Sequence, residues 1–206
     1  MKYPGITLGR VEAVWNKLGG EEGVDRFLRD ELTVPEPARS WREQDGVIYF
    51  SVTSDGTIGV AWVTRLKSKG FWVSDNAESM LRSRGFKPTT GITTEVAVLK
   101  GVLFSDWDRI TKKIRAEANE RKLLEPNAEI ACLIREKFTD KEIEAMGLRG
   151  IIAMHEPIIC FGHGLRLLGA CHSERIRWLN SSSGDVVDKE WFDNNGFAFA
   201  VSQVSC

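Results

Sequence analysis

The stretch from residue 92 onward carries the same signature at both of its ends. Gly196-Phe197-Ala198-Phe199-Ala200-Val201-Ser202 sets large apolar side chains at alternate positions, and residues 94–100 alternate in the same manner. Side chains of a strand change face at every residue, so two strands with matched alternation can bury one face together. The expectation is that residues 94–100 pair antiparallel with residues 197–204. That pairing would bring the two ends side by side and make 92–206 one compact domain.

Between those ends the chain offers helices first and strands later. Trp107, Ile110 and Ile114 define an amphipathic helix over roughly 106–122, and Pro126 suits the opening of another with Ile130, Leu133, Ile134 and Phe138 inward. Thr139-Asp140-Lys141-Glu142 has the form of a capping box, restarting the helix towards Gly147. A buried strand follows over 150–154, then a long irregular stretch, an apolar run over 165–168, and a short strand at Trp178-Leu179. The polar segments Asn180 to Asp185 and Asp193 to Asn195 lack apolar periodicity and read as displayed loop on a rigid scaffold.

Upstream, Val11, Val14, Trp15 and Leu18 recur at helical spacing and stop at Gly19-Gly20, and a second short helix turns Val24, Phe27 and Leu28 inward. Pro35 and Pro37 break the pattern. Residues 47–52 read as a buried strand ended by Ser54-Asp55-Gly56. Ile58, Trp62 and Leu66 share a helix face closed by Gly70, and Ser74 can cap a helix carrying Ala77, Met80 and Leu81. Residues 85–91, with Pro88 and paired threonines, are the natural linker. The expected fold class is therefore α+β, with a small α+β N-terminal module at 1–90 and a larger domain at 92–206.

Composition narrows the function classes. The 206 residues with 42% apolar content suffice for an ordinary core, and a net charge of −1 gives no general attraction to nucleic acid or anionic membrane. The basic run Arg109 to Arg115 with Arg121-Lys122 is diluted by Glu117, Glu120 and Glu125, as on a solvated helix face. No run approaches the length of a membrane span, and the first residues lack the apolar core of a secretory signal. A cytoplasmic location without membrane insertion is the expectation, with surface or virion display left open. The four cysteines, Cys132, Cys160, Cys171 and Cys206, are expected as free thiols, Cys132 in the core. Cys160, His163, Cys171 and His172 are possible zinc ligands, but adjacent Cys171 and His172 point apart in a strand, and no metal is expected.

Catalytic signals are weak. His155-Glu156 follows a buried strand and His163 lies between two glycines, which makes the His155/Glu156/His163 region the place for an enzyme of unknown reaction. No nucleophile or second carboxylate stands at diagnostic spacing. Gly162-His163-Gly164 is no phosphate loop, and no cofactor motif occurs. Phe192 beside Asp193 and Asn194 instead offers an aromatic anchor with a polar rim.

The order of elements over 92–206 is similar to the C-type lectin fold. The pattern Trp178-Leu179, Trp191, then Gly196-Phe197-Ala198-Phe199 further resembles the C-type lectin-fold variable proteins of diversity-generating retroelements, which are related in fold to formylglycine-generating-enzyme-like domains. The whole chain also resembles a family that recurs in uncultivated bacteria, from which no function follows. The lectin-fold resemblance implies that Trp178, Leu179, Trp191, Gly196, Phe197 and Phe199 are framework. It also implies an exchangeable contact surface at Cys171, His172, Ser173, Arg175, Arg177, Asn180, Ser181, Ser182, Ser183, Asp185, Asp193, Asn194 and Asn195. The chain departs from that pattern in carrying Gly184-Asp185-Val186-Val187-Asp188-Lys189-Glu190 where relatives have an Asn-Pro-Asp-Asn-like turn. Glu-Pro-Asn and Trp-Asn-Asp, the calcium-sugar motifs of C-type lectins, are also missing, because Ile158 follows His155-Glu156-Pro157. Neither calcium-dependent sugar binding nor formylglycine-generating activity is implied, the latter for want of the catalytic cysteine pair. The expectation is a non-enzymatic binding protein with a protein or other macromolecular partner, and an N-terminal module that attaches, oligomerises or supports it.

Overall fold

A computed structural model describes residues 7–29, 31, 39–160, 162–172, 176–183 and 189–202. The chain divides into two units, Met1–Ser40 and Trp41–Cys206. This boundary lies well before the expected one. Residues 41–90 supply strands and helices to the large unit, because the strand over residues 47–55 zips along the strand over residues 90–100 and buries its alternate residues there.

The first unit is a helical hairpin, α1 (Leu8–Leu18) and α2 (Gly20–Leu28), turned at Gly19 in the left-handed region (φ 93°). A Cβ at Gly23 would stand 1.7 Å from the carbonyl oxygen of Leu18, so only glycine allows this close approach. Val11, Val14, Trp15, Phe27 and Leu28 are exposed, contrary to their expected burial. Two helices this short do not enclose an apolar face between them.

The second unit is built on one mixed sheet. Its strands are β1 (Arg42–Gln44), β2 (Val47–Asp55), β3 (Trp72–Val73), β4 (Thr90–Lys100), β5 (Leu123–Leu124), β6 (Gly150–Ala153), β7 (Ile158–Cys160), β8 (Gly164–His172), β9 (Arg177–Ser183) and β10 (Asn195–Val201). The main order is β1-β2-β4-β10-β6-β8-β9-β3, with β5 on β10 and β7 on β8. β4 and β10 pair antiparallel from Lys100↔Gly196 to Val96↔Ala200, as their alternation requires. β10 runs parallel to β6, and β9 parallel to β3.

Alternation sorts the core into two layers. Ile48, Phe50, Val96, Val98, Ile151, Leu168, Ala170, Leu179 and Ala198 face α3 (Gly59–Ser68), α4 (Asp75–Leu81), α6 (Glu129–Lys137) and α7 (Asp140–Ala145). Val47, Ala97, Leu99, Ile152, Leu167, Phe197 and Phe199 face α5 (Thr111–Glu120), with Trp191 and Phe104 closing the layer. The capping box is formed: Glu142 N–H donates to Thr139 Oγ1 at 3.3 Å and Thr139 N–H to Glu142 Oε2 at 2.8 Å. The helix expected from residue 106 begins only at Thr111. Ser105 and Asp108 close a turn through hydroxyl and backbone bonds of 2.8 and 3.2 Å, leaving Trp107 outside the helix and in solvent. No helix among the described residues is long and apolar enough to cross a membrane.

Candidate functional surface

The polar segment that follows Trp178-Leu179, expected as displayed loop, is strand as far as Ser183. β8 pairs with β9 over seven positions, from Arg166↔Ser183 to His172↔Arg177, so Asn180, Ser181, Ser182 and Ser183 belong to a strand and not to a displayed loop. Backbone pairing overrides their low strand propensity. Directly opposite residues share a face. Cys171, Trp178, Asn180 and Ser182 therefore lie on the α5 side, whereas His172, Arg177, Ser181 and Ser183 lie on the α6 side.

Position along the strands divides the candidates again. Asn195, Gly150, Cys171 and Trp178 stand in one row across β10, β6, β8 and β9. Ser183 is five residues further along β9, about 16 Å away at roughly 3.3 Å per residue. One continuous contact face cannot use all of these side chains. Ser173, Arg175 and Asp185 lie outside the described residues.

Several candidates are tied into the framework. His172 is buried, with Nε2 3.4 Å from the Leu148 carbonyl oxygen and Nδ1 3.7 Å from Glu144. Arg177 lies 3.8 Å from Asp140 and stacks on Phe71, which it shares with the buried Arg135. The Ser181 hydroxyl is buried without a hydrogen-bond partner among the described residues. Burial pushes the Cys171 thiol up to about 11, although Arg135, Arg149 and Lys189 pull the other way, so it is a poor nucleophile at neutral pH. Cys171 and His172 point to opposite faces, and no three potential ligands cluster for a metal ion among the described residues.

The framework residues are unequal. Trp191, Leu179, Phe197 and Phe199 are buried, with Trp191 edge-on to Phe197 at 5.5 Å. Trp178 is only half-buried, because β3 beside it is two residues long. Lys189 lies over the Trp191 ring at 4.0 Å, and its partial burial lowers its pKa.

The turn after Trp191 presents the remaining candidates. Phe192 N–H donates to Asn195 Oδ1 at 3.2 Å and Asn195 N–H returns to Phe192 O at 3.1 Å, while Arg149 N–H donates to Asn194 O at 2.8 Å. Phe192 is nevertheless 73% exposed, and Asp193 and Asn194 are exposed beside it. A second chain segment lies alongside. Trp191 N–H donates to Arg109 O at 3.0 Å, and Thr111 N–H to Lys189 O at 3.3 Å, in an antiparallel bridge centred on Ile110↔Glu190. Trp107, 90% exposed, stands in the Ser105–Asp108 turn that leads into this bridge. The 3-10 turn Gly101–Leu103 abuts the same backbone and adds exposed Val102 and Leu103. Arg109 locks the assembly, donating to Gly101 O at 3.0 Å and Phe104 O at 3.1 Å. The sequence signal for Trp107 was its place in Ser105-Asp106-Trp107-Asp108, a turn-forming and acidic setting rather than a core one.

The His155, Glu156 and His163 set does not converge. His155 and Glu156 line a cleft of about 910 Å³, but His163 lies outside it in the β7–β8 turn. His155 accepts the Leu168 N–H at Nε2 (2.9 Å), so its proton sits on Nδ1 and is donated to Glu156 O at 2.6 Å. Burial holds its pKa down at about 4. With both ring nitrogens committed, it is a satisfied core histidine.

Comparison with protein-family models, with curated proteins and with solved structures finds no match for this chain. The likeness to lectin-fold variable proteins therefore rests on the residues quoted for it. The fold itself is an α+β architecture around a large mixed sheet.

Proposed function

We propose that this chain is a non-enzymatic binding protein whose contact surface centres on Phe192 and Trp107. The observation that carries this reading is two aromatic side chains, 73% and 90% exposed, on chain segments that hydrogen bonds join at the Ile110↔Glu190 bridge. Exposed large apolar groups in a cluster mark interaction sites, and aromatics on rigid backbone lose little entropy on binding. Val102 and Leu103 widen the apolar centre; Asp106, Asp108, Asp193 and Asn194 form a polar rim. Such an exposed, rimmed patch suits a protein partner better than a small substrate. The basic run beside it offers little to nucleic acid, since Lys113 faces Asp108, Arg121 pairs with Glu117, and Arg115 pairs with Glu125.

Of the exchangeable positions implied by the resemblance, Asp193, Asn194 and Asn195 belong to this surface, with Cys171 along the same strand row. Display of the chain against bacterial-surface and phage proteins tests the reading, with a Trp107→Ala/Phe192→Ala variant and a Ser181→Ala/Ser183→Ala control. Binding lost in the first and kept in the second is expected; binding kept in both places the site elsewhere. Diversification by a retroelement has its own test. The flanking DNA should hold a reverse transcriptase and a near copy of the 3′ end that differs at adenines.

A further inference from the structure

A cleft of about 910 Å³ lies between the end of α4 with the turn after it and the segments 125–128 and 155–159. Its walls are fixed by cross-ties. Arg115 pairs with Glu125 and donates to the His155 carbonyl oxygen at 3.1 Å. Asn127 donates to the carbonyl oxygen of Lys87 at 2.7 Å. Gly85 lets its turn close onto the opposite wall, since a Cβ there would meet Ile158 at 3.0 Å.

The charges on the two walls differ in kind. Arg84 and Lys87 lie on the turn after α4, and among the described residues neither makes an ion pair, unlike Arg65, Lys67, Lys69 and Arg82 nearby. The Ser79 hydroxyl joins them in the lining. Across the cleft stand the apolar surface of Pro157, Ile158 and Ile159 and the carboxylate of Glu156, which makes no ion pair among the described residues. Two unpaired cations three residues apart match a dianion: the guanidinium supplies a fork of donors and the ammonium a point charge. A volume of this size holds an organic body as well as the anionic group.

We propose that this cleft binds a small phosphomonoester, its phosphate between Arg84 and Lys87 and its organic part against Pro157 and Ile158. Glu156 then faces the organic part and favours one that carries a hydroxyl or amino donor. This site is separate from the proposed aromatic surface, and either can fail alone.

Phenyl phosphate serves as the probe, titrated by calorimetry into the full chain with inorganic phosphate and benzoate as comparison arms. Saturable binding of phenyl phosphate, tighter than either comparison, is expected. Arg84→Ala/Lys87→Ala should weaken it about tenfold or more, as loss of charge-assisted bonds does. Both side chains are exposed, so the variant should fold, which its thermal melt checks. Glu156→Gln should tighten binding of this donor-free probe by removing a like charge. No saturable binding, equal binding of benzoate or of inorganic phosphate, or an unchanged affinity in the double variant would each overturn the proposal.

Discussion

The indole N–H of Trp191 donates to the Thr111 hydroxyl at 3.0 Å. That bond joins the entry to β10 with the first turn of α5, and both partners are buried. The same tryptophan meets Phe197 edge-on and carries Lys189 on its outer face. It is therefore the point at which the α5 layer, the sheet and the exposed turn after residue 191 are held together.

Replacing Trp191 by alanine should cost about 3–5 kcal/mol, the range of large-to-small core changes. Trp191→Phe should keep most of the packing and lose about 1 kcal/mol for the missing donor. Ser182→Ala should stay within about 0.5 kcal/mol, and Trp178→Ala, at a half-buried position, should fall well short of Trp191→Ala. Urea denaturation of the four variants provides the ranking, and equal losses at Trp191 and Ser182 would contradict it.

Gly101 fixes the turn that presents Phe192. A Cβ at this position would lie 2.6 Å from the carbonyl oxygens of both Phe192 and Asp193 and 3.0 Å from that of Asn195. These are backbone atoms and cannot swing away. Gly101→Ala should cost about 1–3 kcal/mol as overpacking does, and faster amide exchange should appear at residues 192–195. Unchanged exchange there would mean that the turn does not depend on this contact.

His155 sets a pH dependence. Its folded pKa is near 4, below its ordinary 6.5. As pH falls from about 6.5 to about 4, the unfolded chain takes up a proton that the folded chain refuses, so stability falls across that window. Its contribution is complete above about pH 6.5 and reaches at most about 3 kcal/mol. His155→Gln can still accept the Leu168 N–H through its side-chain oxygen but does not titrate. Its urea midpoint should fall less steeply with acid than that of the parent between pH 6.5 and 4, and parallel curves would remove His155 from the account.

The residues that specified the fold most clearly are those whose environment is settled by local rules. Phe197 and Phe199 alternate against Ala97 and Leu99, and the β4–β10 pairing follows. Thr139 and Glu142 form their box within one helical turn. What the sequence hid was non-local. Ser181 to Ser183 have no strand signature and become strand because β8 runs beside them. Residues 85–91 have linker chemistry, yet Thr90 and Gly91 extend β4 towards the end of β2. Trp107 fits a helical period with Ile110 and Ile114, but the Ser105–Asp108 turn stops that helix short and releases the indole to solvent. The candidate surface was legible at Phe192 to Asn195 and illegible at its other half, because residues 101–107 are brought to it by non-local contacts, the Ile110↔Glu190 bridge and the packing of Gly101 on the backbone of residues 192–195.

A structural residue and a contact residue respond differently to truncation, and Trp107 separates the two. Its side chain is 90% exposed, so Trp107→Ala removes almost no buried surface and should change stability by less than about 0.5 kcal/mol. An anchor at the centre of a contact patch nevertheless costs about 2 kcal/mol or more of binding when truncated. Trp107→Ala should therefore leave the thermal melt in place while weakening capture of a displayed partner about thirtyfold. Phe192→Ala should behave alike, being on the neighbouring strip of backbone. Trp191→Ala should lower stability and binding together, since it undoes the framework beneath both. A Trp107→Ala variant that melts early, or one that binds as the parent does, would leave the exposed indole without the role proposed for it.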